Sequence, residues 1–224
     1  MAERAFPSDA DIHAGRTLVL DCATEACSVA LFAGDAQIAA DWRMLGRGHA
    51  EALVPMIAAL PDRGRAGTIV VALGPGSFTG VRVGLATARA LALAWGAQVR
   101  GYSTLALVAA QAQAESGSDE LAVAMTGGHG EWFIEGFGAH GSTLPLASLR
   151  PGDAAATISQ DLVAGTQAEA LVAARGTGRA LPMWPDARAF ALLPATALTD
   201  DIRPLYGRAP DARLPGGKPG PQTS

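Results

Sequence analysis

A chain of 224 residues with 49% apolar side chains is long enough for one large domain or two small lobes, which excludes disorder of the whole. The formal charge of -4 carries no basic excess of the kind that grips nucleic acid, so any RNA engaged would need another subunit to hold it. The seventeen basic residues include a single lysine, Lys218, in a Gly/Pro-rich tail, which removes lysine-dependent phosphate loops and Schiff-base chemistry.

Residues 1–16 form a polar arm without the apolar centre of a signal peptide. The longest apolar stretch, near residues 83–95, is interrupted by Arg89 and is too short to span a bilayer, so a cytoplasmic protein with no membrane contact is expected. With only two cysteines, Cys22 and Cys27, flanking a short turn, free thiols are the stronger reading than a bridge.

Three short strands follow the arm, Thr17–Asp21, Cys27–Phe32 and Gln37–Trp42, an antiparallel meander. Residues 49–60 carry Leu53, Met56, Ile57 and Leu60 at helical spacing, with Pro55 expected to kink or loosen the helix. TIVVAL, at 68–73, reads as a strand buried on both faces. The glycine-rich turn after it opens a helix to Trp95 that Gly96 closes. A strand at Gln98–Tyr102 and a helix at Thr104–Ala114 complete a first lobe at 17–115. The order describes a mixed sheet with helical crossovers, the ribonuclease-H-like half of an actin-type fold. After the SGSD linker, a hairpin of LAVAM, TGGHG and EWFIEGF opens a second, reduced lobe at 119–206. There Gly165 ends a short strand and Ala187–Leu193 reads as helix. A flexible tail is expected over 207–224.

The turn Gly74-Pro75-Gly76-Ser77-Phe78-Thr79-Gly80 is the most informative stretch, because such a turn between strand and helix often cradles phosphate. The nucleotide-loop patterns fail on particular residues. Gly80 comes one residue late for the dinucleotide fingerprint, the first acid after the turn is Glu115, and Val81 stands where a Walker loop needs lysine. Ser77 lacks the glycine two residues on that a nucleophile elbow requires. Gly80, Gly84, Ala88 and Ala92 recur every fourth residue as a smooth face, which periodicity divides evenly between packing inside the lobe and contact with another subunit.

Actin-type ATPases hold magnesium and nucleotide between lobes with an acid at the end of the first strand of each half. Asp21 occupies the first such place, but Ala23 follows where glycine would let phosphate approach, and the second half ends Met125-Thr126-Gly127 without an acid. Asp21 therefore reads more readily as a turn-stabilising residue than as a magnesium ligand. No metal site can be assembled from His13, His49, His129 and His140: Leu53 stands where a second histidine would follow His49 by one turn.

The segments LVLDCATEACSVALF, RGHAEALVPMI, VALGPGSFTGVRVGLATARALALAWG and PLYGRAPDA together resemble the TsaB family, also called YeaZ, from Thr17 to about Ala212. The resemblance implies an actin-like (ASKHA) ATPase fold of two ribonuclease-H-like lobes without catalysis or cofactor of its own. It also implies a role in forming N6-threonylcarbamoyladenosine beside the anticodon of tRNA. The expected partners are TsaD, which transfers the threonylcarbamoyl group, and the ATPase TsaE, with ATP and metal on those subunits and tRNA met only through the complex. It further implies that the first lobe's two helices contact TsaD or a second copy of the chain. Carried over, this assigns His49, Leu53, Met56, Gly80, Arg82, Gly84 and Ala88 to an interface, and Asp21 and Thr24 to a vestigial nucleotide cleft. The chain departs from the family at Cys22, where Thr is usual, and at Thr126-Gly127-Gly128, where Asp-Ala-Arg is usual. Both departures bear on nucleotide binding. The alternative from another class is an actin-type small-molecule kinase; a metallopeptidase reading follows only from historical naming of the wider family.

Overall fold

The computed structural model describes His13 and residues 15–207. Most of the expected arm and tail, and the end of the PLYGRAPDA segment, lie outside the described residues. Two five-stranded sheets organise the rest. The first comprises β1 (Arg16–Asp21), β2 (Ala26–Ala33), β3 (Ala36–Met44), β4 (Thr68–Ala72) and β5 (Gln98–Tyr102), in the order β3-β2-β1-β4-β5. β1, β2 and β3 pair antiparallel, whereas β4 and β5 join in parallel. The second sheet holds β6 (Leu121–Thr126), β7 (Trp132–Gly138), β8 (Gly141–Leu149), β9 (Leu162–Ala164) and β10 (Arg179–Leu181), in the order β10-β9-β6-β7-β8. Renumbered within its own lobe, that is the same order with the same strand directions. The second lobe is thus reduced in length and not in plan: β9 and β10 have three residues each.

The helices are α1 (His49–Ala59), α2 (Phe78–Trp95), α3 (Thr104–Ser116), α4 (Pro151–Thr157) and α5 (Ala168–Arg175). α1 runs unbroken through Pro55. The carbonyl that the missing N–H would have engaged is that of Glu51, and both residues are exposed, so water can satisfy it. α2 starts at Phe78, three residues before the apolar repeat, because Ser77 Oγ accepts from Gly80 N at 3.2 Å. Gly96 ends it in the left-handed region, φ 69°.

Two expected lobe boundaries are corrected. α3, assigned by sequence to the first lobe, packs on the second sheet, where Leu105, Val108, Ala109 and Ala112 join Leu121, Val123 and Met125. Its Leu107 alone enters the first core, so the helix ties the lobes together. Conversely, residues 187–206, assigned to the second lobe, return to the first. Ala187 N donates to Ser28 Oγ at 2.9 Å, and Phe190 packs on Phe32 with ring centroids 5.5 Å apart. Thr199 bridges Gly101, and Leu205 N donates to the Leu73 carbonyl at 2.8 Å. Sequence pattern misses this return because short 3₁₀ turns and single bridges have no periodicity.

Candidate functional site

The ends of β1 and β4 bring the two motif turns against each other. Asp21, 1% exposed, accepts from Ala23 N at 2.9 Å and from the Tyr102 hydroxyl at 2.9 Å. Burial pushes its carboxyl up to about 6, against the lowering effect of those two hydrogen bonds. Thr24 Oγ1 accepts from Ala26 N at 3.2 Å and closes the turn. The glycine-rich turn lies directly on top: a Cβ at Gly76 would stand 2.0 Å from the Ala23 carbonyl oxygen, and one at Gly80 2.0 Å from that of Cys22. Ser77 N donates to the Ala23 carbonyl at 2.7 Å. These glycines serve backbone-to-backbone approach within the chain.

Between the lobes these turns border a cleft of about 790 Å³. Its far wall is Thr126, Gly127, Gly128 and His129 at the end of β6. Where the sequence lacks a second acid, Thr126 Oγ1 is engaged by Thr166 Oγ1 at 3.1 Å and by Gln167 Nε2 at 2.9 Å. At the mouth, Phe78 is 66% exposed, with the Arg82 guanidinium 3.3 Å from its ring centre. Arg82 also donates to the Tyr206 hydroxyl at 2.6 Å, fastening the returning segment beside the cleft. Sequence reasoning missed Tyr206, which lies 124 positions from Arg82 with no spacing to link them. Among the described residues no group of three His, Cys, Asp or Glu is placed to hold a metal.

The residues assigned to a partner interface require correction. Leu53, Met56 and Ala88 are 0% exposed, and Gly80 and Gly84 are buried on the inner face of α2. A Cβ at Gly84 would already touch Val71 Cγ2 at 3.4 Å, so the small-residue repeat packs α2 onto its own sheet. His49 is buried, its Nε2 3.3 Å from the Ala26 carbonyl. Arg82 stands at the cleft mouth. What α1 and α2 turn outward is a different apolar set: Val54 is 53% and Leu93 89% exposed, accompanied by Ala58, Ala90 and Ala94. The signal for it was present in residues 90–95, ALALAW, which leave no polar position on any side of the helix. No helix among the described residues is long and apolar enough to cross a membrane.

The family model described as "TsaD: tRNA N6-adenosine threonylcarbamoyltransferase" matches residues 43–177, more than half of the chain. The tRNA threonylcarbamoyladenosine biosynthesis protein TsaB of Escherichia coli is 39% identical over 121 residues. That match covers 52% of this chain and 52% of the relative, so the chain spans about half the length of the curated relative it matches. A crystal structure of a Pseudomonas aeruginosa protein with similarity to peptidase YeaZ is 28% identical with a TM-score of 0.74, covering 87% of this chain and 100% of that one. The structure of YeaZ from Pseudomonas aeruginosa is 28% identical with a TM-score of 0.71, over 86% and 99% of the two chains. With the two matched lobes and the first-lobe motifs in place, the chain belongs to the TsaD-type family, in its TsaB (YeaZ) branch.

Proposed function

We propose that this chain is an accessory subunit, without catalysis of its own, in the formation of N6-threonylcarbamoyladenosine on tRNA, and that it pairs with TsaD. TsaE, ATP, metal and tRNA are engaged through the rest of the complex, in the cytoplasm. The observation that carries this reading is the outward apolar flank of α1 and α2, headed by Leu93 at 89% and Val54 at 53% exposure. Exposed apolar side chains of that size, carried on helices packed to a sheet, favour burial against another protein. The same flank would serve a second copy of the chain when TsaD is absent.

The non-catalytic reading is supported by the engagement of Asp21. Its oxygens are taken up by Ala23 N and the Tyr102 hydroxyl, and the matching end of β6 is Thr126, which offers no second carboxylate for magnesium. The actin-type kinase remains the second reading because a cleft of about 790 Å³ lies open between the lobes. Reconstituting tRNA modification from TsaD, TsaE and the threonylcarbamoyl-adenylate donor, with and without this chain, tests the proposal. Modification that depends on the chain supports it; full modification without the chain overturns it. Calorimetric titration of the isolated chain with ATP and magnesium tests the rival, which requires micromolar binding.

A further inference from the structure

The buried end of the β1–β2 turn carries chemistry that the proposed function does not use. The β1–β2 register pairs Asp21 with Ser28, so the next residues, Cys22 and Cys27, continue the ladder opposite one another. Their sulfurs lie 3.4 Å apart, and both residues are free cysteines, 2% and 0% exposed. A disulfide needs an S–S distance of about 2.0 Å, so side-chain rotation with a small adjustment of the turn would close the gap. Opposed side chains on paired antiparallel strands have Cβ atoms about 4.5–5.5 Å apart, so the turn must draw them together by up to about 1 Å to reach the separation of a bridge.

We infer that Cys22 and Cys27 form an oxidation site, a dithiol that closes to an intramolecular disulfide on meeting a hydroperoxide or a small-molecule disulfide. With a hydroperoxide, one thiolate attacks the O–O bond to give a sulfenic acid and release water or alcohol. The second thiol then displaces water, so two electrons leave the sulfurs and two thiol protons end in the released products. The hydrogen bond with Cys27 and burial hold the Cys22 thiol well above the usual thiol range, which makes the resting pair slow to react. Neither sulfur lines the cleft, but Ala23 and Thr24 of the connecting turn do, so opening of that turn is the route by which an oxidant would reach the pair. The bridge would be felt by α2. The Cys22 carbonyl oxygen occupies the space that a Cβ at Gly80 would need, and Cys22 Cβ lies 3.8 Å from the Cβ position of Gly84. Drawing Cys22 toward Cys27 therefore shifts the seat of the helix.

The test treats the full chain with hydrogen peroxide or oxidised glutathione under native conditions and measures intact mass, a loss of about 2 Da marking one disulfide. Digestion without reduction should yield a single Cys22–Cys27 link, reversed by dithiothreitol and absent from Cys22→Ala and Cys27→Ala. Amides of residues 78–84 should change hydrogen-exchange rate on oxidation and recover on reduction. The denatured chain, oxidised in parallel, controls for intrinsic pairing and for variants that fold poorly. The inference is overturned if the native chain keeps both thiols, gains oxygen, or cross-links between molecules while the denatured chain closes the bridge. None of these readouts depends on TsaD, so they stand apart from the test of the proposed function.

Discussion

The Tyr102 hydroxyl lies 2.9 Å from Asp21 Oδ2 in a place where neither residue reaches water, at 0% and 1% exposure. Tyr102 closes β5 and Asp21 closes β1, so this contact joins two strands of the first sheet across β4. Burial raises the Asp21 carboxyl to about 6 from an ordinary 3.8. A folded value above the unfolded one means that the native state binds the proton more tightly. The resulting stability is fully present below about pH 4 and is lost as pH rises through about 6. A difference of this size corresponds to about 3 kcal/mol between the limits. Urea unfolding of the natural chain and of Asp21→Asn, from pH 4 to pH 8, should show their difference changing over that window, with the variant relatively more stable at the alkaline end. A difference that stays constant with pH would show that Asp21 does not titrate there.

Gly80 sits in the first turn of a helix, where alanine would ordinarily gain about 1 kcal/mol of helix propensity. Here the added Cβ would stand 2.0 Å from the Cys22 carbonyl oxygen, a backbone atom that cannot swing aside. Gly80→Ala and Gly76→Ala should each destabilise the chain by more than about 2 kcal/mol, the cost of displacing two packed backbones outweighing propensity. Gly96→Ala is the comparison, with nothing within 4 Å of its Cβ and φ +69°. It should cost only about 1–2 kcal/mol, from the left-handed conformation alone. Thermal unfolding of the three variants checks the order.

The first sheet was legible because its signals are local: three short runs separated by turns for the meander, a β-branched run for β4, and the glycine stop after α2. The turn-stabilising role of Asp21 was legible for the same reason, its partner Ala23 being two residues away. What the helices face was not. Leu53 and Met56 form an apolar stripe whether the stripe packs on the chain's own sheet or on another protein, and only the sheet beneath α1 decides. Arg82 with Tyr206, and Ala187 with Ser28, join positions more than a hundred residues apart, which no periodicity encodes.

Arg82 holds Phe78 and Tyr206 together, one by its charge over the ring and the other by a hydrogen bond of 2.6 Å. Both partners are more than half exposed, so the clamp adds only about 0.5–1 kcal/mol to global stability. Its effect should be local. Arg82→Ala should speed hydrogen exchange over residues 202–207 while leaving the melting temperature nearly unchanged. Arg82→Lys should restore little, because an ammonium cannot lie flat on Phe78 while reaching the Tyr206 hydroxyl. Equal exchange in all three proteins would show that the segment is held by Leu205 N on the Leu73 carbonyl alone.

Leu93 is the best probe of the proposed partnership, since at 89% exposure it contributes almost nothing to its own lobe. It lies in the last turn of α2, where a positive side chain meets the negative end of the helix dipole and is tolerated or mildly stabilising. Leu93→Arg should therefore leave unfolding within about 0.5 kcal/mol of the natural chain. Against TsaD, the same change would drive a charge into an apolar contact and should weaken binding by more than about tenfold, the loss expected at an interface centre. Val54→Arg on α1 should do likewise, and the double variant should abolish co-purification. Gly84 would be a poor probe, because a bulky replacement strikes Val71 inside the core and confounds folding with docking. Unaltered TsaD binding by a folded Leu93→Arg, Val54→Arg chain would place the partner elsewhere, with the cleft mouth at Phe78 and Tyr206 the next exposed apolar surface to examine.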